Sequence, residues 1–269
     1  PYLFPKAGRL RERAIWTLSQ GAKGVVVTNQ EDYNYCHTHP GMPPLDVIPI
    51  GSNIPCAPPK TFSVSEWRQE HGIRPDELVL GYFGFLNASK GIETVIQALA
   101  LLHNTGLTAR LVLIGEHTGS TDKSNTVYAE RANRLAKELS IEHQILRTGY
   151  LDPPETSAAL LSCNLMVMPY IDGVSFRRGS FMACLAHGRA TITTRPTLHI
   201  EGLLPRENVI LAQSEATDIA AAIQALHSNP SLRRDVEEGA LRLSKQFKWS
   251  RIAERLEAFF ADILSPHKA

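Results

Sequence analysis

The sequence predicts an α/β protein in which a parallel sheet carries helices on both faces, and three observations carry that prediction. From Leu78 onward, short and wholly apolar segments alternate with amphipathic ones, the pattern of buried parallel strands joined by crossover helices. Turn formers follow the apolar segments, as at Gly84, Gly115 and Asp172-Gly173, where a strand hands over to a helix. The 269 residues, 43% of them hydrophobic, are enough to bury a substantial core.

The elements follow in order. Leu78 to Phe83 reads as a strand, and the next segment places Ile92, Val95, Ile96, Leu99 and Leu102 on one helical face. Leu111 to Ile114 is a second strand, ended by Gly115. A helix near Val127 to Leu139 precedes a strand near Gln144 to Arg147. Asp152-Pro153-Pro154-Glu155 then has the cap, the first-turn proline and the third-position glutamate of a helix start. Leu165 to Met168 is a strand, Phe181 to His187 a helix closed by Gly188, and Ala190 to Thr193 a strand again. Asn208 to Leu211 is the last strand, before helices at Asp218 to Leu226, Ser231 to Leu243 and Ser250 to Ile263. The final helix gathers Ile252, Leu256, Phe259, Phe260 and Ile263 into one stripe that needs a large surface to pack on.

The beginning differs. It offers a basic helix near Gly8 to Leu18, a strand Gly24 to Val27, a short helix near Tyr33 and a strand Val47 to Ile50. Two strands and two short helices cannot enclose a core, so residues 1–55 read as the closing elements of a preceding domain, with a proline-rich linker near Gly51 to Lys60. Residues 56–248 then form the sheet domain, and 249–269 the terminal helix.

Composition excludes several partners. Lys and Arg total 28 against 27 Asp and Glu, too even for the dominant basic face that nucleic acid requires. No apolar run approaches the roughly 20 residues of a membrane span, and Pro1 to Pro5 lacks the order of a signal peptide, so a soluble, cytoplasmic location is expected. Cys36, Cys56, Cys163 and Cys184 lie far apart without a C-x-x-C pair, and are expected to be reduced thiols. Cys36-His37-Thr38-His39 sits among prolines and glycine, as in a surface loop, and no metal site is expected.

Asp172-Gly173-Val174-Ser175-Phe176-Arg177-Arg178-Gly179-Ser180 joins the end of an apolar strand to the start of a helix. Backbone N–H groups, a helix dipole and two guanidinium groups near the helix N-terminus would meet there, an arrangement that favours a phosphorylated ligand, where the plainer reading is a solvated arginine pair on the first helical turn. Asp172 could bind a sugar hydroxyl or neutralise Arg177 or Arg178. Lys90, followed by Gly91, occupies another strand-to-helix turn, and parallel strands present such turns along one edge. Gly84 and Gly115 permit either a tight turn or ligand approach, and Glu116 either a hydroxyl contact or a solvated carboxylate. Ser89 stands where a phosphate loop needs glycine, and no G-x-G-x-x-G follows a strand, which disfavours a Walker-type NTPase and a dinucleotide oxidoreductase.

The series Gly84-Phe85-Leu86-Asn87-Ala88-Ser89-Lys90-Gly91, Leu113-Ile114-Gly115-Glu116, Thr148-Gly149-Tyr150-Leu151, Met168-Pro169-Tyr170 and Ala183-Cys184-Leu185-Ala186-His187-Gly188, closed by Phe247-Lys248-Trp249-Ser250, resembles the donor-binding half of glycosyltransferase family 4. The resemblance covers about Val47 to Ile263. It implies a GT-B fold of two Rossmann-like domains facing a cleft, with the last helix crossing back to the N-terminal domain. It also implies retaining transfer from a nucleoside-diphosphate sugar to a glycan, lipid or small molecule, without metal or further cofactor. Any contact with a membrane surface would belong to the preceding domain. Tyr150 and Leu151 match the segment that holds the base.

This sequence departs from the family at Phe85, where an arginine is common, and at Ser175 and Ala183, where two glutamates stand. Ser175, Arg177, Arg178 and Ser180 resemble a variant found in a subset of bacterial members, read here as a relocated phosphate clamp. Lys90, Arg177 and Arg178 are then the candidate stabilisers of the leaving diphosphate. A nucleotide-sugar-binding module without catalysis, or an epimerase on the same fold, would carry the same residues.

Overall fold

The computed structural model describes residues 8–115 and 123–265, which divide into two compact units, residues 1–51 with 246–269 and residues 52–245.

The larger unit is built on six parallel strands: β3 (Leu78–Phe83), β4 (Ala109–Ile114), β5 (Ile145–Arg147), β6 (Leu165–Met168), β7 (Thr191–Thr194) and β8 (Ile210–Ala212). The smaller unit holds β1 (Val25–Val27) and β2 (Leu45–Val47). Across the sheet the order is β5-β4-β3-β6-β7-β8, so the chain steps outward from β3 in one direction, returns, and steps outward from β6 in the other. The crossover helices are α4 (Ile92–Asn104), α5 (Lys123–Glu138), α6 (Pro153–Ser162) and α7 (Gly179–Ala186). Right-handed crossovers in opposite directions place α4 and α5 on one face and α6 and α7 on the other. Of the remaining helices, α8 (Ala216–Ser228) packs on α4, α9 (Pro230–Ser244) on α7, and α3 (Val64–Glu70) on α6. The core follows from the apolar strands: every residue of β6 is fully buried, and Leu80, Leu111, Leu113 and Ile114 are wholly enclosed.

Local chemistry sets the element ends. Asp152 accepts from the Glu155 N–H at 2.8 Å and Glu155 accepts from the Asp152 N–H at 3.1 Å, the reciprocal capping box that the sequence announces. The sequence reading passes over α3, although Ser63 caps it by accepting from Glu66 N–H. It also sets the second strand at Val47 to Ile50, whereas β2 begins at Leu45. The Pro44 carbonyl takes the Val25 N–H at 2.9 Å, which starts the pairing, and Pro49 has no N–H with which to extend it.

The smaller unit also contains α1 (Gly8–Gln20), α2 (Gln30–His37) and α10 (Trp249–Leu264). Arg255 of α10 donates to the Val47 carbonyl at 2.8 Å and pairs with Asp46 at 3.3 Å. Gly24 lies under the Phe259 ring, where a β-carbon would come within 2.8 Å of it. Cys36, Cys163 and Cys184 are buried, Cys56 is exposed, and all four are free.

Candidate functional site

The strand order reverses between β3 and β6, and a doubly wound sheet leaves a crevice at the C-terminal ends of such a pair. The two turns that border it are those the sequence marks. After β3, the Gly84 N–H completes the ladder to Ile114 at 3.0 Å. Asn87 then accepts from the N–H and the hydroxyl of Ser89, at 3.1 and 2.9 Å, and caps a single 3-10 turn that delivers Lys90. After β6, the Gly173 N–H returns to the Tyr170 carbonyl at 3.1 Å, and the Arg178 N–H to the Ser175 carbonyl at 3.1 Å.

Backbone contact stitches the turns together. Ile171 N–H donates to the Ser89 carbonyl at 2.9 Å, and Gly91, at φ +65°, lies so close to the Pro169 carbonyl that no β-carbon fits.

Lys90 folds back over the end of β3. A β-carbon at Gly84 would lie 2.6 Å from Lys90 Nζ and 3.8 Å from Ser180 Cβ, so the bare backbone of Gly84 is what admits the ammonium. The Phe85 ring centre is 6.0 Å from Nζ. Among the described residues the ammonium has no hydrogen bond or ion pair. Burial, with the Arg178 charge adding to it, lowers its pKa from 10.5 to about 8.

Arg178 is held on three sides. Its Nη2 pairs with Asp172, its Nε donates to the Gly173 carbonyl at 3.2 Å, and the guanidinium carbon sits 4.2 Å over the Tyr170 ring. Tyr170 is wholly buried and shares a 2.8 Å hydrogen bond with the Ser180 hydroxyl. Burial pushes its ionisation far above the usual phenol range. The sequence gives Tyr170 no role of its own. Its place in the Met168-Pro169-Tyr170 segment and its aromatic character just past an apolar strand are the signals that could have found it.

The structure therefore gathers Gly84, Lys90, Asp172, Arg178 and Ser180, with Ser175 shaping the turn through its carbonyl. Arg177 and Arg178 lie on the turn just ahead of the helix: α7 starts at Gly179, and Arg178, with extended backbone, is its N-cap without a side-chain cap bond. The Arg178 N–H closes that turn onto the Ser175 carbonyl. Arg177 is exposed while Arg178 is half-buried, so the adjacent arginines occupy unlike positions.

Further along the same edge, the Gly115 N–H donates to Thr148 Oγ1 at 3.1 Å and joins the turns after β4 and β5. Tyr150 on the latter is 74% exposed, and Leu151 is half-buried. Glu116 lies outside the described residues. Among the described residues no three His, Cys, Asp or Glu are grouped to hold a metal ion, and no helix is long and apolar enough to cross a membrane.

Comparison with known proteins adds three findings. Residues 63–242 match the family described as Glycosyl transferases group 1. A curated relative, the D-inositol 3-phosphate glycosyltransferase of Pseudarthrobacter chlorophenolicus, is 24% identical over 230 residues, covering 81% of this chain and 50% of that protein. The putative glycosyltransferase EpsD of Bacillus subtilis is 25% identical over 254 residues, covering 90% of this chain and 60% of its own. The chain thus spans between half and three fifths of the length of these curated relatives. Among solved structures, Anabaena Alr3699/HepE in complex with UDP superposes with a TM-score of 0.79 at 17% identity, covering 95% of this chain and 68% of that one. Sucrose-phosphate synthase from Thermosynechococcus elongatus gives 0.75 at 20% identity, covering 98% and 64%. These likenesses establish a fold of the GT-B type.

Proposed function

The chain belongs to the group 1 glycosyl transferases, and from that premise we propose that it holds the nucleoside-diphosphate sugar of a retaining transferase at the crevice between β3 and β6. One observation supports this reading above the others: the Lys90 ammonium, partly buried and without a partner among the described residues. A desolvated cation is costly unless an anion meets it. The departing diphosphate is such an anion, and its charge grows as the bond to the sugar breaks.

In this reading Lys90 and Arg178 stabilise the leaving group from two turns, and Ser180 and the backbone N–H groups opening α7 take further phosphate oxygens. Because the protein's cations supply the charge, no divalent metal is needed to neutralise the diphosphate. Tyr150 and Leu151 hold the base, two strands along the edge. The acceptor, a glycan, lipid or small molecule, approaches the sugar from across the cleft.

Calorimetric titration tests the reading. UDP and GDP are the probes, since UDP is bound in the Alr3699/HepE structure and one relative is named GDP-mannose-dependent. One of them should bind without added metal, and Lys90→Ala should weaken it. Absence of binding by both would contradict the assignment. Donor binding without any transfer by the whole protein, across a broad acceptor screen, would favour a binding module.

A further inference from the structure

The pairing of Asp172 with Arg178 suggests how the cationic turn is aimed. We infer that Asp172 is a positioning residue, which holds the Arg178 guanidinium with its Nη1 edge turned to the donor diphosphate; this rests on the donor-site reading above.

A guanidinium is a flat fork with five N–H groups, and its value in phosphate recognition depends on how its plane is set. In this turn almost every degree of freedom is taken. Asp172 engages Nη2, the Gly173 carbonyl takes the Nε hydrogen at 3.2 Å, and the Tyr170 ring supports one face at 4.2 Å. The support is itself fixed, because the Tyr170 hydroxyl is bound to Ser180 at 2.8 Å within the first turn of α7. Among the described residues Nη1 has no hydrogen-bond partner, and it is the one nitrogen of the fork left for a ligand. The side chain is only 18% exposed, so the group cannot swing freely to find a phosphate.

Asp172, by contrast, is 51% exposed, and no apolar packing requires a carboxylate there. A carboxylate beside a diphosphate repels it, at a cost in affinity. Keeping one there is favourable overall where orienting the fork contributes more than that repulsion removes. The turn then holds Arg178 as a neutral pair with a directed donor edge, while Lys90 provides the uncompensated positive charge. The two cations thus play different parts, Lys90 supplying charge and Arg178 supplying geometry.

The inference is tested by calorimetry with UDP and GDP on the 269-residue chain, using whichever binds. Asp172→Asn should weaken binding about tenfold at an unchanged melting temperature, and Asp172→Glu should restore most of it. Arg178→Lys, which keeps the charge and loses the fork, should weaken binding to a similar degree. In the Arg178→Ala background, Asp172→Asn should have no additional effect, because the carboxylate acts through the arginine. Unchanged or tighter binding by Asp172→Asn would overturn the inference, as would losses that multiply in the double variant. A loss seen with a nucleotide sugar and absent with the bare diphosphate would assign Asp172 to the sugar, again overturning it. Should Lys90→Ala weaken binding while Asp172→Asn does not, the donor-site reading stands and this inference falls. If neither nucleotide binds, both fall.

Discussion

The two ends of the larger sheet treat buried charge in opposite ways. At the N-terminal end, Glu77 is 5% exposed and Arg110 22%, and their side chains pair at 3.1 Å. Glu77 also accepts from the Arg74 N–H at 2.8 Å, and Arg110 donates to the His143 carbonyl at 3.0 Å. At the C-terminal end Lys90 is drawn into the protein with no such partner among the described residues. One end pairs its charges with each other, and the other leaves a cation for something that arrives. The lesson is that burial of charge alone does not mark a site; what marks it is burial without a partner, at the edge where the strand order reverses.

The contrast can be broken from either end. Glu77→Ala leaves the Arg110 guanidinium, whose Nε already lacks a partner among the described residues, without its counter-charge, and should cost about 3–5 kcal/mol of stability. Chemical denaturation would show that loss, while the affinity of the surviving folded protein for UDP or GDP stays as in the parent. Lys90→Ala should do the reverse. Affinity should fall by about 1.5–3 kcal/mol, the scale of a hydrogen bond to a charged group, with stability unchanged or slightly raised. Destabilisation by Lys90→Ala with unaltered binding would make the two ends alike and remove the distinction.

The protonation of Lys90 sharpens the comparison. Its folded pKa, about 8, lies below the ordinary 10.5, so the unfolded chain binds the proton more tightly. The penalty for burying this charge is therefore fully present below pH 8 and is relieved as pH rises from 8 to 10.5. Relative to Lys90→Met, which has no proton to lose, the parent should gain stability across that window. Parallel denaturation series at pH 7.5 and 10 would measure the difference, and parallel behaviour of the two proteins would contradict it. The smallest effect belongs to Arg177→Ala. Its exposed position limits the loss in nucleotide affinity to about 0.2–1 kcal/mol, well below that of Arg178→Ala.

Much of the fold was legible because it is written in local pattern. The apolar segments at Leu78 to Phe83, Leu111 to Ile114 and Leu165 to Met168 are strands, and the Asp152 to Glu155 signal is a reciprocal capping box. What failed locally has local causes: β2 begins at Pro44's partner contact and not at the more apolar residues after it, and the helix at Val64–Glu70 is short and polar, with only Ser63 and Glu66 to announce it. The strand order is different in kind. No segment encodes that β3 lies beside β6, because that adjacency arises from the direction of three separate crossovers.

The candidate site divides in the same way. Lys90, Arg178 and the turn that carries Arg178 could be named from residue type and place alone. The Asp172–Arg178 pair is one of the two roles the sequence offers Asp172. That Tyr170 supports Arg178, that Arg177 stays exposed and that Gly84 makes room for an ammonium depend on how each turn folds its side chains back on itself, which residue type does not announce. Phe85 shows the limit from the other side: its place in the first turn was plain, and its position 6.0 Å from Lys90 Nζ was not.

The central claim is that Lys90 meets the donor diphosphate as an ammonium, and its titration near pH 8 allows a direct test. Affinity for UDP or GDP, whichever binds at pH 7, should be measured by calorimetry at pH 7 and pH 9 for the parent and for Lys90→Ala. The parent should lose about tenfold between the two, following the protonated fraction of a group with that pKa, and the variant should be weak at both and nearly flat. Equal affinity of the two proteins at pH 7, or the same pH dependence in both, would contradict the account.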